Sequence, residues 1–122
     1  MHLVGVYGSL RQNLENSHLL KTSEYLGEAL TQPEWTLFDL GPYPALVPGG
    51  TTAVVLEVYR VTPDTLAHLD RLEDCPDWYQ RQTQATPWGN CWIYIHPQLT
   101  AEHHTPVPGG DWKAYFLARA NS

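Results

Sequence analysis

Ten prolines and nine glycines in 122 residues constrain this chain more than any other feature. Proline removes a backbone donor and clashes with the preceding helical turn, while glycine relaxes the backbone, so each interrupts regular structure. The chain therefore reads as turn-rich, built from short elements, and long helices are not expected. Its length fits one domain, since domains commonly run to about 100–150 residues. A hydrophobic content of 43% with only 16% charged residues fits a packed core and excludes a disordered chain. Five tryptophans and seven tyrosines supply large buried surfaces, or stacking walls for a small ligand.

Charge narrows the partners. The formal net charge is -6 and lysine plus arginine number seven, with no basic run able to neutralise several phosphates. Nucleic acid is thus a poor partner, and an anionic membrane surface a poor one too. The segment Met1 to Tyr7 has no basic start followed by a long apolar run, so it does not read as a signal peptide. No stretch approaches the roughly 20 apolar residues of a membrane span. Two cysteines, Cys75 and Cys91, read as free thiols of a reducing compartment, because disulfide-dependent small domains carry more. A cytoplasmic location is the expectation.

Residues 2–7 read as a strand that stops at Gly8-Ser9, and 14–21 as a short helix with Asn13 as its N-cap. Residues 25–30 and 34–40 read as strands separated by Thr31-Gln32-Pro33, and Gly41-Pro42-Tyr43-Pro44 as a rigid turn. Ala53 to Val61 is rich in β-branched residues and is the clearest strand. Thr62-Pro63-Asp64 opens a helix with a hydroxyl cap, a proline in the first turn and an acid near the positive end. That helix runs to about Glu73, before Pro76. Residues 79–86 and 91–96 read as a hairpin about Trp88-Gly89-Asn90, and the chain is then Pro- and Gly-rich until Asp111. The class is α+β, a small mixed or barrel-like sheet.

Glu73 is the local oddity. Leu66 and Leu69 mark the buried stripe of the helix, and Glu73 falls at i+7 and i+4 from them, on the same face. A carboxylate there costs free energy unless paired, hydrogen-bonded or protonated, and desolvation raises its pKa towards neutrality. Such a group can both accept and donate a proton. The same spacing also fits a Glu73 that turns to solvent at the helix end, or pairs with Arg71 or Arg81.

The loop Tyr7-Gly8-Ser9-Leu10 leaves the first strand through glycine, which permits close backbone approach. Exposed amide groups there suit a carboxylate or developing oxyanion, with the Ser9 hydroxyl as a further donor. The alternative is a plain strand-to-turn corner. His96, His103 and His104 match no common zinc spacing, so no metal is expected. Cys75 has no locally placed histidine partner, and Ser9 lies in no G-x-S-x-G elbow, so neither reads as a nucleophile.

Taken in order, V-Y-G-S-L-R at 6–11 with Asn16, E-V-Y-R-V at 57–61, and T-L-A-H-L-D-R-L-E-D-C-P-D-W-Y-Q-R at 65–81 form a recognisable set. Lesser matches are G-P-Y-P-A-L-V at 41–47 and G-D-W at 110–112. The set resembles the gamma-glutamylcyclotransferase-like superfamily over nearly the whole chain, in its short gamma-glutamylamine cyclotransferase branch and bacterial relatives. Leu56 stands where relatives often carry glycine, and so does Asn13, a residue type that tolerates the left-handed backbone.

The resemblance implies a small mixed sheet curled into a barrel with short flanking helices. It implies a gamma-glutamyl amide substrate whose glutamyl head is held by the amide groups of residues 7–10. Glu73, matching the family's glutamate, would move a proton from the α-ammonium to the departing amine, giving 5-oxoproline without cofactor or metal. Tyr79 and Arg81 are the next candidates for lining the site, although Tyr79 equally reads as packing and Arg81 as half of an ion pair. Tyr43 and Tyr115 are candidate walls or, as aromatic side chains in so small a chain, part of the core, and Trp88 with the 97–110 loop is expected on the leaving-group side. The other class of function for these residues is a small-metabolite binding or regulatory domain without turnover.

Overall fold

A computed structural model of the chain describes residues 1–14, 16–97 and 104–120. In chain order its elements are β1 (His2–Val6), a 3₁₀ turn (Ser17–Leu20), β2 (Glu24–Leu30), β3 (Trp35–Asp39) and β4 (Pro44–Pro48). There follow β5 (Val55–Val61), α1 (Pro63–Leu72), β6 (Gln80–Thr86), β7 (Gly89–Ile95), β8 (Thr105–Pro106) and α2 (Trp112–Ala120).

Side chains alternate across a strand, so a strand buried on both faces must be apolar at successive positions. β1 and β5 meet that condition and form the middle of a five-stranded sheet ordered β2-β5-β1-β7-β6. β1 runs antiparallel to β5, with Val4 opposite Tyr59, and parallel to β7, with Val4 opposite Trp92. On one face Val4, Val6, Tyr59 and Val61 pack with Leu66 and Leu69 of α1. On the other, Leu56, Val58 and Ile93 pack with Leu37, Leu46 and Trp112, from a second sheet ordered β4-β3-β8 and from α2. Leu56 fills the space above Gly5: a Cβ on that glycine would lie 3.0 Å from Leu56 Cδ1 and from Cys91 Sγ. Both cysteines are free, Cys91 buried and Cys75 half-buried.

The mixed α+β class is as read, but the two sheets are not closed into a barrel. They are linked where the His96 N–H donates to the Leu46 carbonyl at 2.8 Å, beyond the end of β7. Other differences have local causes. The expected 14–21 helix is only the 3₁₀ turn, because the Leu14 and Asn16 N–H groups bond back to Arg11 and Ser9 carbonyls and hold the chain in turns. Asn13 is not its cap but sits at φ 68°, in the left-handed region. The turn at 41–44 exists, with the Leu40 N–H bonded to the Tyr43 carbonyl, yet Pro44 already belongs to β4 and pairs with Asp39. α2 lies in a segment with no reading from sequence; the Asp111 carboxylate accepts the Ala114 N–H at 3.1 Å and opens it. No helix among the described residues is long and apolar enough to cross a membrane.

Candidate functional site

α1 begins as expected, the Thr62 hydroxyl accepting the Thr65 N–H at 3.1 Å with Pro63 in the first turn. Its last residue is Leu72, Glu73 is the C-cap, and Asp74 follows in the left-handed region at φ 51°, a conformation common just past a helix end. The chain then doubles back. The Trp78 N–H reaches the Asp74 carbonyl at 2.7 Å and the Tyr79 N–H the Glu73 carbonyl at 3.3 Å. This return brings Glu73, Trp78 and Tyr79 to the end of β1, where they and the 7–10 loop line a cavity of about 380 Å³.

The loop side is tightly held. The Tyr7 hydroxyl donates to the Tyr94 carbonyl at 2.6 Å and accepts the Leu46 N–H at 3.3 Å, which ties the loop to β7 and β4. A Cβ on Gly8 would lie 2.8 Å from Pro44 Cδ, so any other residue would displace the loop or the proline. Asn16 closes the turn twice, donating its backbone N–H to the Ser9 carbonyl and its side-chain amide to the Ser9 hydroxyl oxygen, both at 2.9 Å. The N–H groups of Gly8, Ser9 and Leu10 have no acceptor among the described residues, and all three residues line the cavity.

Facing them, the half-buried Glu73 carboxylate has neither hydrogen-bond nor ion-pair partner among the described residues. Burial pushes it up from an ordinary 4.5 to about 7. Three buried phenols surround it. Tyr79 donates to the Pro44 carbonyl and Tyr94 to Asp70 Oδ1, each at 2.7 Å, and Tyr7 is bonded as above. Burial holds all three above the usual phenol range, and the negative charge of Glu73 adds to it, so they stay protonated.

Of the residues singled out from sequence, Tyr7, Gly8, Ser9, Leu10, Glu73 and Tyr79 come together around this cavity, and Tyr43 joins them at its wall. Arg81 does not line it. Its Nε lies 3.1 Å from Asp70 Oδ1 and its guanidinium stacks 4.7 Å over Trp92, so it takes the ion-pair role and reaches the site only through Tyr94. Tyr115 is elsewhere, donating to Asp39 at 2.7 Å. Trp88 packs over Gly27 and does not line the cavity. His103, with the rest of 98–103, lies outside the described residues; His104 sits beside Phe38. Among the described residues no group of three or more His, Cys, Asp or Glu is arranged to hold a metal.

Sequence reasoning missed Tyr94, Leu72 and Asp74 as lining residues, and treated Trp78 only as part of a motif. It also missed a buried network behind the loop. Arg11, 3% exposed, donates Nε to Glu57 Oε2 at 2.8 Å and Nη1 to Asp111 Oδ1 at 2.7 Å. Glu57, also buried, accepts the Gln12 N–H at 2.8 Å. A glutamate inside the apolar run Ala53 to Val61 was the available signal: a charge there requires a buried partner.

Comparison with known proteins places this geometry. The family model described as "Gamma-glutamyl cyclotransferase, AIG2-like" matches residues 4–114. A Vibrio cholerae relative provisionally named gamma-glutamylcyclotransferase is 50% identical over 111 residues, 91% of this chain and 95% of its own. The solution structure of ytfP from Escherichia coli is similar with a TM-score of 0.73 at 38% identity, covering 90% of this chain and 95% of that one. The crystal structure of a mouse AIG2-like protein is similar with a TM-score of 0.75 at 25% identity, covering 92% and 94%.

Proposed function

Because the chain belongs to the gamma-glutamyl cyclotransferase, AIG2-like family, which supports cyclotransferase activity, we propose that it cleaves a gamma-glutamyl amide through the substrate's own α-amine. The observation that carries this reading is the unpartnered Glu73 carboxylate facing the loop amides across one cavity. Unpaired N–H groups on Gly8, Ser9 and Leu10 suit the substrate's α-carboxylate, which needs donors and no metal. With the head held there, the α-amine is presented to its own γ-carbonyl, and the reaction becomes intramolecular. Positioning of that kind removes much of the entropic barrier.

Glu73 takes a proton from the α-ammonium, and the freed amine attacks the γ-carbonyl carbon to form the five-membered ring. As the tetrahedral centre collapses, the bond from carbon to the leaving nitrogen breaks and Glu73 returns the proton to that nitrogen; the ring nitrogen then gives up its second proton by way of Glu73 to the released amine, which leaves as an ammonium. The products are 5-oxoproline and a free amine; no water, cofactor or covalent enzyme intermediate enters. A carboxyl group near pH 7 is matched to both transfers. Tyr7, Tyr79 and Tyr94 hold the walls through their own hydrogen bonds.

The test is 5-oxoproline release from a panel of gamma-glutamyl amines and dipeptides by the protein and by Glu73→Gln. Turnover that falls at least a hundredfold in the variant, with the fold unchanged, is the expected result, general acid–base catalysis being worth about 10²–10⁴. A variant retaining more than a few per cent of the rate would remove Glu73 from this role. Binding of gamma-glutamyl ligands without release of 5-oxoproline would replace the enzyme with a metabolite-binding domain.

A further inference from the structure

Three buried phenols stand around Glu73, yet none gives it a proton, and the reason lies in where each hydroxyl is spent. A phenol carries one proton to donate. Tyr7 donates to the Tyr94 carbonyl and Tyr79 to the Pro44 carbonyl, both of them backbone groups. Tyr94 alone donates to a side chain, Asp70 Oδ1, at 2.7 Å. Asp70 does not line the cavity, but it fixes the direction of a hydroxyl whose residue does.

Asp70 is itself held from two directions. It lies in the last turn of α1, three residues before Glu73, a spacing that puts both carboxylates on one side of the helix. Arg81 Nε lies 3.1 Å from the same Oδ1, and Arg81 is the residue directly opposite Tyr94 in the β6–β7 ladder. The Arg81 guanidinium is braced in turn over the Trp92 ring at 4.7 Å. One strand pair thus supplies both the phenol and the cation that keeps its acceptor in place.

Of the titratable groups that line the cavity with Glu73, Tyr7, Tyr79 and Tyr94 are buried phenols, Tyr43 is an exposed phenol at the wall and Asp74 is a second acid. No lysine or arginine lines it. A carboxylate that accepts a phenolic proton is stabilised as the anion and becomes a poorer base. Resting on the reading that Glu73 carries the proton, we propose that Asp70 is a positioning residue: braced by Arg81, it keeps the Tyr94 hydroxyl committed away from Glu73, so that Glu73 stays without a donor.

The experiment uses three backgrounds beside the unaltered protein. Asp70→Ala removes both acceptor and charge; Asp70→Asn removes the charge and keeps an acceptor oxygen; Asp70→Ala with Tyr94→Phe leaves no hydroxyl to release. The Asp70 side chain is 25% exposed and alanine favours a helix, so the fold tolerates the change. In each background the titration of Glu73 is read twice. One reading is the pH at which the stability gap between the Glu73 and Glu73→Gln forms levels off in urea unfolding, which needs no turnover. The other is the midpoint of the acid limb of kcat/KM for 5-oxoproline release. Asp70→Ala should move both down by about one pH unit or more from near 7, the yield of one hydrogen bond to a charged group. Asp70→Asn should show less than half of that shift, and Tyr94→Phe should abolish most of it in the double variant. Midpoints unmoved by Asp70→Ala overturn the proposal. An Asp70→Asn that equals Asp70→Ala, or a shift that survives Tyr94→Phe, overturns it in favour of a plain charge effect. If no compound is turned over, the cyclotransferase reading fails by itself, and the unfolding midpoints still decide the role of Asp70.

Discussion

Glu73→Gln should make the protein more stable as well as inactive, and by an amount that depends on pH. The carboxyl group rises from an ordinary 4.5 to about 7 on folding, through desolvation. Such a group binds its proton more tightly in the folded chain, so between those two values the folded state holds more protons than the unfolded one. Stability then falls as pH rises through that window: the penalty is absent below about pH 4.5 and complete above about 7. At 1.36 kcal/mol per pH unit the full span amounts to about 3 kcal/mol, and the remaining contact with solvent at this half-buried position trims it to about 2–3. Glutamine keeps the shape of the protonated acid and never ionises. The assay is urea unfolding of both proteins at half-unit steps from pH 4.5 to 8, with the difference in stability plotted against pH. Every other titrating group is common to the pair and cancels. The difference should be under about 1 kcal/mol at pH 5 and grow to about 2–3 in favour of Glu73→Gln at pH 8. A difference flat within about 0.5 kcal/mol, or one that shrinks with pH, refutes the claim that Glu73 is held desolvated and unpaired.

The pH profile of kcat/KM should rise about tenfold per pH unit on its acid side and level near pH 7, because only ionised Glu73 accepts the α-ammonium proton; a limb that persists unchanged in Glu73→Asp at the same midpoint would assign it to another group. Arg11→Met should cost about 3–5 kcal/mol in urea unfolding, since it strands the buried Glu57, whereas Arg11→Met with Glu57→Leu should recover at least half of that; strictly additive losses would show that the pair is not coupled. Gly8→Ala should lower kcat/KM at least about tenfold while costing roughly 1–3 kcal/mol of stability, because the new methyl meets the Pro44 ring at 2.8 Å; near-normal kinetics would mean that the loop has room to move.

Where local pattern and tertiary demand agreed, the sequence could be read directly. β5 declares itself through its β-branched run, and α1 through the Thr62 hydroxyl, Pro63 and the Leu66–Leu69 spacing that also places Glu73 on the inner face. β4 was hidden because it starts and ends in proline, which reads as punctuation; an outer strand such as this one tolerates proline where an inner one does not. α2 was hidden by its composition: Trp112, Ala114, Tyr115, Phe116 and Leu117 leave too weak a stripe to show a helical period. The 3₁₀ turn at Ser17–Leu20 replaces a helix because bonds back to Ser9 and Arg11 win over local propensity. Arg81 could not be placed from spacing, since its partner Asp70 comes from α1 and they meet only after the chain reverses at 73–79.

Asp111 holds two posts at once, receiving the guanidinium of Arg11 and the Ala114 amide in the first turn of α2. Residues a hundred positions apart in the chain thereby share one carboxylate, and Arg11 in turn hydrogen-bonds through its own amide to Gly8 in the loop. A substitution at Asp111 would therefore reach the backbone of the 7–10 loop through Arg11, with no residue of the cavity altered.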